Sequence, residues 1–495
     1  MKKFLIIVLA FSTVHGFAQK LANPEPFGKT ITAADLKKHL FIVASKEMEG
    51  RETATEGQRK AAAYIENEFK KIGLQPGNNG SYQQPYGVYQ DSLVNAVLEV
   101  NGKKYELDKD FNVSINNYPA MLAFSEVVYI GANVPADTIR KINLAGKIIM
   151  LQESAPQPGG GRFQMSPRME ALRAANPAAI LTVSSNYPRR TPALRKGNQM
   201  LNFFKRSIGA QQFTISENVA KEIFGNDDPS KLTTPKTYQA NVLTDIQKAT
   251  KQLTSSNVIG VLPGTDKKDE YLFITAHYDH LGKRGDTVVY YGADDDGSGT
   301  VSVIEIAEAF AKAKAAGNGP RRTVVFMTVS GEEKGLWGSD HYGNNPIFPL
   351  DKTTADLNID MIGRSDATRK PDTLNYVYVV GDDKLSSDLK TISEAQNNKY
   401  TKLQLDYKFN DAKDPNRIYY RSDHYNFAKH GVPIIFYYDG MLGADYHKPT
   451  DTPDKINYEL MAKRAQLVFY TAWEMANRSD MLKRDIPLDQ SIFTR

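Results

Sequence analysis

Apolar residues in the second half of the chain fall into two alternating kinds of segment. Short, almost continuous apolar runs such as YLFITA and TVVFMTVS are typical of strands buried on both faces, and longer stretches such as TVSVIEIAEAFAKAKAA repeat their apolar residues with helical spacing. From about Asn257 onward this βαβα alternation predicts a mostly parallel sheet with helices on both of its faces.

The first half of the chain has a different pattern. Residues from about Thr30 to Gly73 predict two helices, and alternating aromatic stretches with a hairpin turn at Asn101-Gly102 follow them. Residues 119–241 carry short strand-like runs and one helical segment, MEALRAAN. We therefore predict an α/β fold in which a main domain, residues 19–118 and 242–495, is interrupted by a β-rich insert, residues 119–241.

The length of the chain agrees with a division into two domains, and its small net charge argues against a nucleic-acid partner. At 495 residues the chain is too long for one compact core. Its formal charge is +5, which falls to +3 (60 basic against 57 acidic residues) without Lys2 and Lys3 of the leader described next. Because this excess is small and dispersed, we expect no nucleic-acid partner, and we interpret the densest basic cluster, at residues 189–196, as a solvated loop.

The N-terminus has the pattern of an export signal. Lys2 and Lys3 precede an apolar run from Phe4 to Val14, and Gly16-Phe17-Ala18 offers small residues to a signal peptidase. The apolar run is shorter than the roughly 20 residues that span a bilayer. We predict a signal peptide over residues 1–18, export to a bacterial periplasm or the cell exterior, and no membrane span after cleavage. A retained signal anchor is the alternative.

Polar motifs follow five of the predicted apolar runs directly or after a short loop. Since the carboxyl ends of strands in an open α/β sheet face one crevice, these side chains are expected to meet there. The chain contains no cysteine, so any metal must be held by His, Asp and Glu, and this set is one that zinc prefers. The motifs are His277-Tyr278-Asp279, Asp294-Asp295-Asp296, Glu332-Glu333, Asp360 and His447.

These motifs indicate a metallohydrolase. Glu332, beside the candidate ligands, is the kind of group that accepts a proton from a metal-bound water. Asp279 can fix the ring of His277 through its other nitrogen. A calcium loop is the competing interpretation of Asp294 to Glu305, but the residues before it predict a strand where an EF-hand needs a helix.

At this point the chain resembles the co-catalytic dizinc exopeptidases, a family that includes bacterial leucyl aminopeptidases, aminopeptidase Y and glutamate carboxypeptidase II. The resemblance covers roughly Asn257 to Arg478 and implies a zinc peptidase domain. The insert, through LAGKIIML and AAILTV, resembles a protease-associated domain. The matching motifs are AHYDHLG, GADDDGSGT, GEEKGLWGS, LNIDMIG, RSDHYNF and YHKPTDT.

The resemblance assigns a role to each motif. It implies two zinc ions, one on His277 and Asp360 and another on Glu333 and His447, with Asp295 bridging both and followed by a cis peptide bond. Glu332 would be the general base for a metal-bridging hydroxide, Asp279 would support His277, and Tyr419 would help to bind the oxyanion. The native metal identity and the oligomeric state are not predicted.

The resemblance favours an exported aminopeptidase that acts on peptides with a free N-terminus. A glutaminyl cyclase with one zinc is a second hypothesis for the enzyme. A carboxypeptidase or dipeptidase specificity is also open, because one fold serves several exopeptidase modes. A non-catalytic, receptor-like binding protein is the alternative from another class. Intact candidate ligands and Glu332 argue against it.

Overall fold

The computed structural model describes residues 22–131, 134–152, 166–188, 192, 194–204, 207–229, 234–370, 372, 374–411 and 413–487. The predicted signal peptide and part of the basic cluster at 189–196 lie outside these residues. The chain forms two compact units, one of Met1–Tyr86 with Ser255–Arg495 and one of Gly87–Thr254.

The first unit is built on a mixed sheet. The strands from Ile434–Tyr438 to Arg322–Val329 run parallel, whereas the neighbours on either side of this group pair antiparallel. The predicted α/β fold with a mostly parallel central sheet is confirmed, and its antiparallel edges are an addition to the prediction. In spatial order the strands are Gln404–Asp406, Tyr376–Val380, Ile434–Tyr438, Thr353–Ile359, Lys267–His277, Arg322–Val329 and the end of Lys236–Leu262, with Gln75–Pro76 paired to the last.

Helices cover this sheet. Glu56–Ile72 ends where Gly73 adopts a left-handed conformation (φ 85°), as its position after the last apolar residue predicts. Among the described residues, no helix combines the length and apolarity that crossing a membrane requires. The helices are Glu25–Gly28, Ala33–Val43, Glu56–Ile72, Gly299–Ala315, Trp337–Asn344, Leu389–Gln396, His424–Lys429 and Tyr458–Asn477.

The central strand, Lys267–His277, shows why the sheet needs helices on both faces. Leu272, Ile274 and Ala276 belong to one buried apolar cluster, and Phe273 belongs to the cluster on the opposite side. Because alternate side chains of a strand point to opposite faces, both faces of this strand are covered. Polar side chains from such a strand can reach a ligand only at its ends.

The second unit has its own sheet and core. Ala120–Ile130, Ile148–Gln152, Ala179–Ser184 and Gln211–Ser216 run parallel, and the edge strand Phe111–Val113 pairs antiparallel with the last of them. The other strands are Lys103–Tyr105, Lys196–Met200 and parts of the long strands Gln83–Val100 and Lys236–Leu262, and the helices are Ala136–Arg140, Pro167–Ala174 and Glu217–Phe224.

This unit extends beyond the predicted insert of residues 119–241 on both sides. Leu93, Leu98 and Phe111 precede the predicted boundary, yet they belong to the same buried cluster as Phe213 and Ile215. The predicted turn at Asn101-Gly102 joins the strands that carry Leu98 and Lys103, with both turn residues at positive φ (51° and 82°). The hairpin therefore packs with the second unit rather than with the first.

A buried acid in the first unit makes its stability depend on pH. Asp382 is fully buried, and neither carboxylate oxygen has a hydrogen-bond partner among the described residues. Burial, with a smaller contribution from Asp383, raises the pKa of Asp382 to about 7 against an opposing effect of Lys390. Since the folded pKa lies above the unfolded value of about 3.9, stability is lost as pH rises from about 4 through 7.

Asp382→Asn should remove this loss. Relative to wild type, the free energy of unfolding of the variant is expected to gain about 2–4 kcal/mol between pH 4 and pH 8, because the amide never ionises. Urea unfolding at pH 4.5, 6 and 8 measures the difference, and the exposed Asp351→Asn is the control. A difference between Asp382→Asn and wild type that does not change with pH would contradict the prediction.

Candidate metal centre

The polar motifs meet at the carboxyl edge of the parallel strands. His277 is the last residue of the central strand, and Asp360 follows Thr353–Ile359 directly. Gly331, at a φ of 77°, turns the chain after Arg322–Val329 so that Glu332 and Glu333 begin a short 3₁₀ turn. Because these strands are parallel neighbours, their ends deliver side chains to one place.

The first donor set surrounds Nε2 of His277. This nitrogen lies 3.3 Å from Oδ1 of Asp295, 3.5 Å from Oδ1 of Asp360 and 3.9 Å from Oε2 of Glu332. It is fully buried and has no hydrogen-bond partner among the described residues. His277, Asp295 and Asp360 thus form a group whose donor atoms converge as the ligands of a metal ion do.

The second donor set uses the other oxygen of Asp295. Nε2 of His447 lies 3.2 Å from Oδ2 of Asp295 and 3.1 Å from Oε2 of Glu333. His280, which the sequence analysis did not select, faces Oε1 of the same glutamate, and His280, Asp295 and Glu333 form a second group able to hold an ion. All five predicted ligands and Glu332 are therefore brought together, with Asp295 between the two sets.

The spacing of the donors suits zinc-sized ions. Zinc bonds of about 2.0–2.2 Å in tetrahedral geometry place neighbouring donor atoms roughly 3.3–3.5 Å apart. The separations of 3.1, 3.2, 3.3 and 3.5 Å among these donors are close to that value. The nitrogen and oxygen donors are also those that zinc accepts in the absence of cysteine.

Burial sets the electrostatics of the site. Burial raises the pKa of Glu332 well above its usual range, and Glu333 and Asp360 add to this against the opposing effect of His277. Burial alone would lower the pKa of His277, but Asp360 and Glu332 raise it well above its usual value. A metal ion that binds here would favour the deprotonated form of these groups.

Carboxylates next to the donors fix the backbone around them. Asp296 accepts hydrogen bonds from the backbone N–H groups of His277 (3.2 Å), Gly299 (2.7 Å) and Met361 (3.1 Å). It therefore ties together the segments that carry His277, Asp295 and Asp360. The peptide bond between Asp295 and Asp296 is cis, as the resemblance implied.

The calcium interpretation of this segment fails. Oδ1 of Asp294 accepts from the backbone of Gly363 at 2.8 Å, and both oxygens of Asp296 accept from backbone N–H groups. Glu305 lies within the helix and pairs with His39 at 3.2 Å instead of closing a loop. The acids that would hold calcium are thus engaged elsewhere.

Asp279 supports the site in a different way from the one predicted. Nδ1 of His277 lies 3.1 Å from the backbone oxygen of Asp279, whereas the nearer carboxylate oxygen is 3.8 Å away. That carboxylate instead accepts from the hydroxyl of Thr53 (2.6 Å) and from the backbone N–H of Glu332 (3.2 Å). Asp279 therefore orients the ring of His277 through its main chain and the Glu332 turn through its side chain.

A small cavity of about 30 Å³ opens beside the donors. Tyr419 does not line it; this residue lines a separate cavity of about 10 Å³ with Lys384 and Asn410. The tyrosines of the donor-side cavity are Tyr438 and Tyr446. The complete lining is Asp295, Glu332, Asp360, Met361, Ile418, Arg421, Phe436, Tyr438, Leu442 and Tyr446.

Comparison with known proteins supports the peptidase class of this chain. Residues 257–472 match the model of peptidase family M28. The matched segment contains all five predicted metal ligands and Glu332. The resemblance to zinc exopeptidases and the prediction of a metallopeptidase are confirmed by this match and by the names of the relatives. A probable leucine aminopeptidase of Trichophyton verrucosum is 26% identical over 318 residues, which span 63% of this chain and 76% of the relative.

Other relatives and solved structures agree. A probable zinc metalloprotease of Pyricularia oryzae is 26% identical over 328 residues, covering 58% of this chain and 62% of the relative. An aminopeptidase from Aneurinibacillus sp. strain AM-1 shares the fold with a TM-score of 0.56 at 18% identity, covering 94% of this chain and 99% of its own. A zinc aminopeptidase from Bacillus subtilis has a TM-score of 0.52 at 19% identity, with 92% and 99% covered.

The candidate metal centre also depends on Arg51, which carries no signal in the sequence. It lies among charged residues in KEMEGRE, yet the guanidinium is fully buried. It donates to the backbone oxygens of Val43, Tyr278, Tyr291 and Gly292 at 2.7 to 2.8 Å. Two of these carbonyls border the metal motifs, so Arg51 holds both motifs in place.

Asp451 is a second supporting residue that the sequence analysis did not select. Its carboxylate accepts from the backbone N–H groups of Asp294 and Asp295, at 3.0 and 3.2 Å for Oδ2. Its position in the sequence could have indicated this role, because Asp451 lies four residues after His447 in the motif YHKPTDT. His280 could have been found in the same way, because it lies three residues after His277 in AHYDH.

Arg51→Lys should destabilise the first unit. An ammonium has three donors and no planar fork, so at least one buried carbonyl loses its partner, at an expected cost of about 2–4 kcal/mol in the free energy of unfolding. Arg59→Lys is the matched control, because Arg59 is exposed and pairs with Glu56 on its own helix. The control should change stability by less than about 0.5 kcal/mol. Equal effects of the two variants in urea unfolding would contradict this role for Arg51.

Proposed function

We propose that the protein is an exported aminopeptidase that holds two zinc ions and hydrolyses N-terminal residues from peptides. The observation that carries this proposal is the position of Asp295, whose two carboxylate oxygens face two separate donor sets. Such a shared carboxylate is what a pair of adjacent metal ions requires. The family M28 match and the aminopeptidase names of its relatives support the reaction class.

The ions would be held as the two donor sets suggest. His277 and Asp360 would bind one zinc, Glu333 and His447 would bind the other, and Asp295 would bind both. When bound, zinc lowers the pKa of a coordinated water toward about 7 and polarises a carbonyl oxygen. Three carboxylates against two divalent ions leave one positive charge, which favours an attacking group that is anionic.

Glu332 would be the general base. It lies beside the donor atoms without being a member of either converging group and also lines the cavity where a substrate would enter. Its raised pKa suits a carboxylate that takes a proton from the attacking water, keeps it, and gives it to the leaving amine. Asp279 would hold the Glu332 turn at the correct distance through its bond to the Glu332 N–H.

Tyrosine hydroxyl groups near the donors are candidates for binding the oxyanion. The role assigned to Tyr419 stays a prediction, because the cavity beside the donors is lined instead by Tyr438 and Tyr446. The hydroxyl of Tyr438 is buried and without a hydrogen-bond partner among the described residues, so it is free to donate to a substrate. Met361, Phe436 and Leu442 give the same cavity an apolar wall, which favours neutral side chains.

Export and the identity of the second unit are parts of the same proposal. Export rests on the leader pattern at residues 1–18. We further propose that the second unit contains a protease-associated domain, on the basis of its parallel strands Ile148–Gln152 and Ala179–Ser184, which carry the segments that suggested it.

The glutaminyl cyclase alternative is less well supported. Cyclisation needs one zinc and no attacking water, whereas here a second donor set includes His447, Glu333 and Asp295. A protein that only binds its ligand would not require a general base such as Glu332. Other exopeptidase modes differ from aminopeptidase action in which end of the peptide they recognise, and a substrate panel separates them.

Glu332→Gln should abolish turnover and leave metal binding unchanged. Loss of a general base lowers kcat by about 10²–10⁴-fold. Zinc content after gel filtration should stay at the wild-type value, because Glu332 is not a ligand. Glu333→Gln is the matched control and should lose metal instead. Normal turnover by Glu332→Gln, or loss of its zinc, would refute the role.

Amino-acid release from a panel of dipeptides and aminoacyl amides tests the function itself. Each substrate is supplied with a free and with an acetylated N-terminus, with and without a chelator. We expect chelator-sensitive release only from free N-termini, and most rapid release of neutral residues. Ammonia loss from N-terminal Gln would indicate the cyclase, and release from acetylated substrates would indicate another exopeptidase mode.

A further inference from the structure

A third histidine lies at the metal centre without an assigned role. His280 is fully buried, and neither ring nitrogen has a hydrogen-bond partner among the described residues. Burying two unpaired ring nitrogens is costly unless something else satisfies them. The residue belongs to neither the expected ligand set nor the proposed proton transfer.

The ring is directed at the second donor set. Nδ1 of His280 lies 2.8 Å from Oε1 of Glu333 and 3.9 Å from Oδ2 of Asp295. The short contact to Glu333 lacks the angular geometry of a hydrogen bond. Donor atoms that approach one another without a hydrogen between them are what ligands of a shared cation present.

The surrounding backbone restricts this ring. The N–H of His280 donates to the backbone oxygen of Arg51 at 3.3 Å. Gly292, at a φ of 54°, packs so closely on the ring that a Cβ there would lie 2.5 Å from Cγ of His280. The imidazole is therefore held in one position beside Glu333.

We propose that His280 is a ligand of the second metal ion. That ion would then have two imidazoles, from His280 and His447, together with the carboxylates of Glu333 and Asp295. The first ion would have a single imidazole, from His277. The two sites would differ in affinity, with the second site the tighter one because it has an additional neutral donor. This inference rests on the proposed metal centre.

Cobalt(II) substitution tests the proposal without relying on activity. Each histidine bound to Co²⁺ through one ring nitrogen gives an exchangeable, strongly shifted proton resonance from its other ring N–H. The apoprotein loaded with two equivalents of Co²⁺ should show three such signals, from His277, His280 and His447. Two signals in the wild-type protein would overturn the proposal, and this count requires no variant.

Variants assign the third signal. His280→Gln should remove one shifted resonance and weaken one of the two Co²⁺ sites, in competition with a chelator, by more than the about 10–100-fold that loss of an outer hydrogen bond causes. The exposed His430→Gln is the control and should change neither quantity. A variant that keeps every shifted signal would show that His280 only orients Glu333 and would overturn the proposal.

The same experiment separates this inference from the proposed function. Binding of two Co²⁺ ions with signals from two histidines would contradict the ligand role of His280 and leave the two-metal aminopeptidase intact. Failure to bind a second Co²⁺ would contradict the two-metal proposal itself, and the ligand role would fall with it.

Discussion

The sharing of one carboxylate between two sets of donors is the constraint on which the site depends. Asp295 can face both sets only if its backbone is fixed on each side, and the chain provides this through neighbouring acids rather than through apolar packing. The carboxylate of Asp451 accepts hydrogen bonds from the backbone N–H groups of Asp294 and Asp295. The carboxylate of Asp296 accepts from backbone N–H groups of three separate segments. Each of these carboxylates is buried with backbone donors around it, which is how a buried charge is made tolerable.

The concentration of negative charge at one sheet edge explains the electrostatics of the whole unit. Carboxylates that bind metal must stay ionised, and burial opposes this. The imidazoles and the backbone N–H groups compensate part of the charge, and cations are needed for the rest. Cations bound at this edge of the sheet would stabilise the ionised form of these acids.

Those parts of the structure that follow general rules of periodicity and topology could be predicted from the sequence. Buried strands, the helix that stops at Gly73 and the convergence of motifs at strand ends follow from periodicity and from parallel topology. Residues that act across long sequence separations could not be found in this way. Arg51 and Thr53 belong to a polar segment with no periodicity, and their partners are defined only after the sheet has formed. The extent of the second unit was missed for the same reason, since the hairpin at residues 83–105 joins its core through tertiary packing.

The position of Arg51 in the chain has a consequence for how this enzyme can be divided. The segment that matches the family begins at residue 257, whereas the guanidinium that supports the HYD and GADDDG motifs belongs to the stretch before the second unit. A fragment cut at the limits of the family match would keep every donor atom and lose the residue that holds two of the motifs together. The residues that build and support the site are therefore discontinuous in sequence, and a shortened form that keeps Arg51 must include the segment before the second unit.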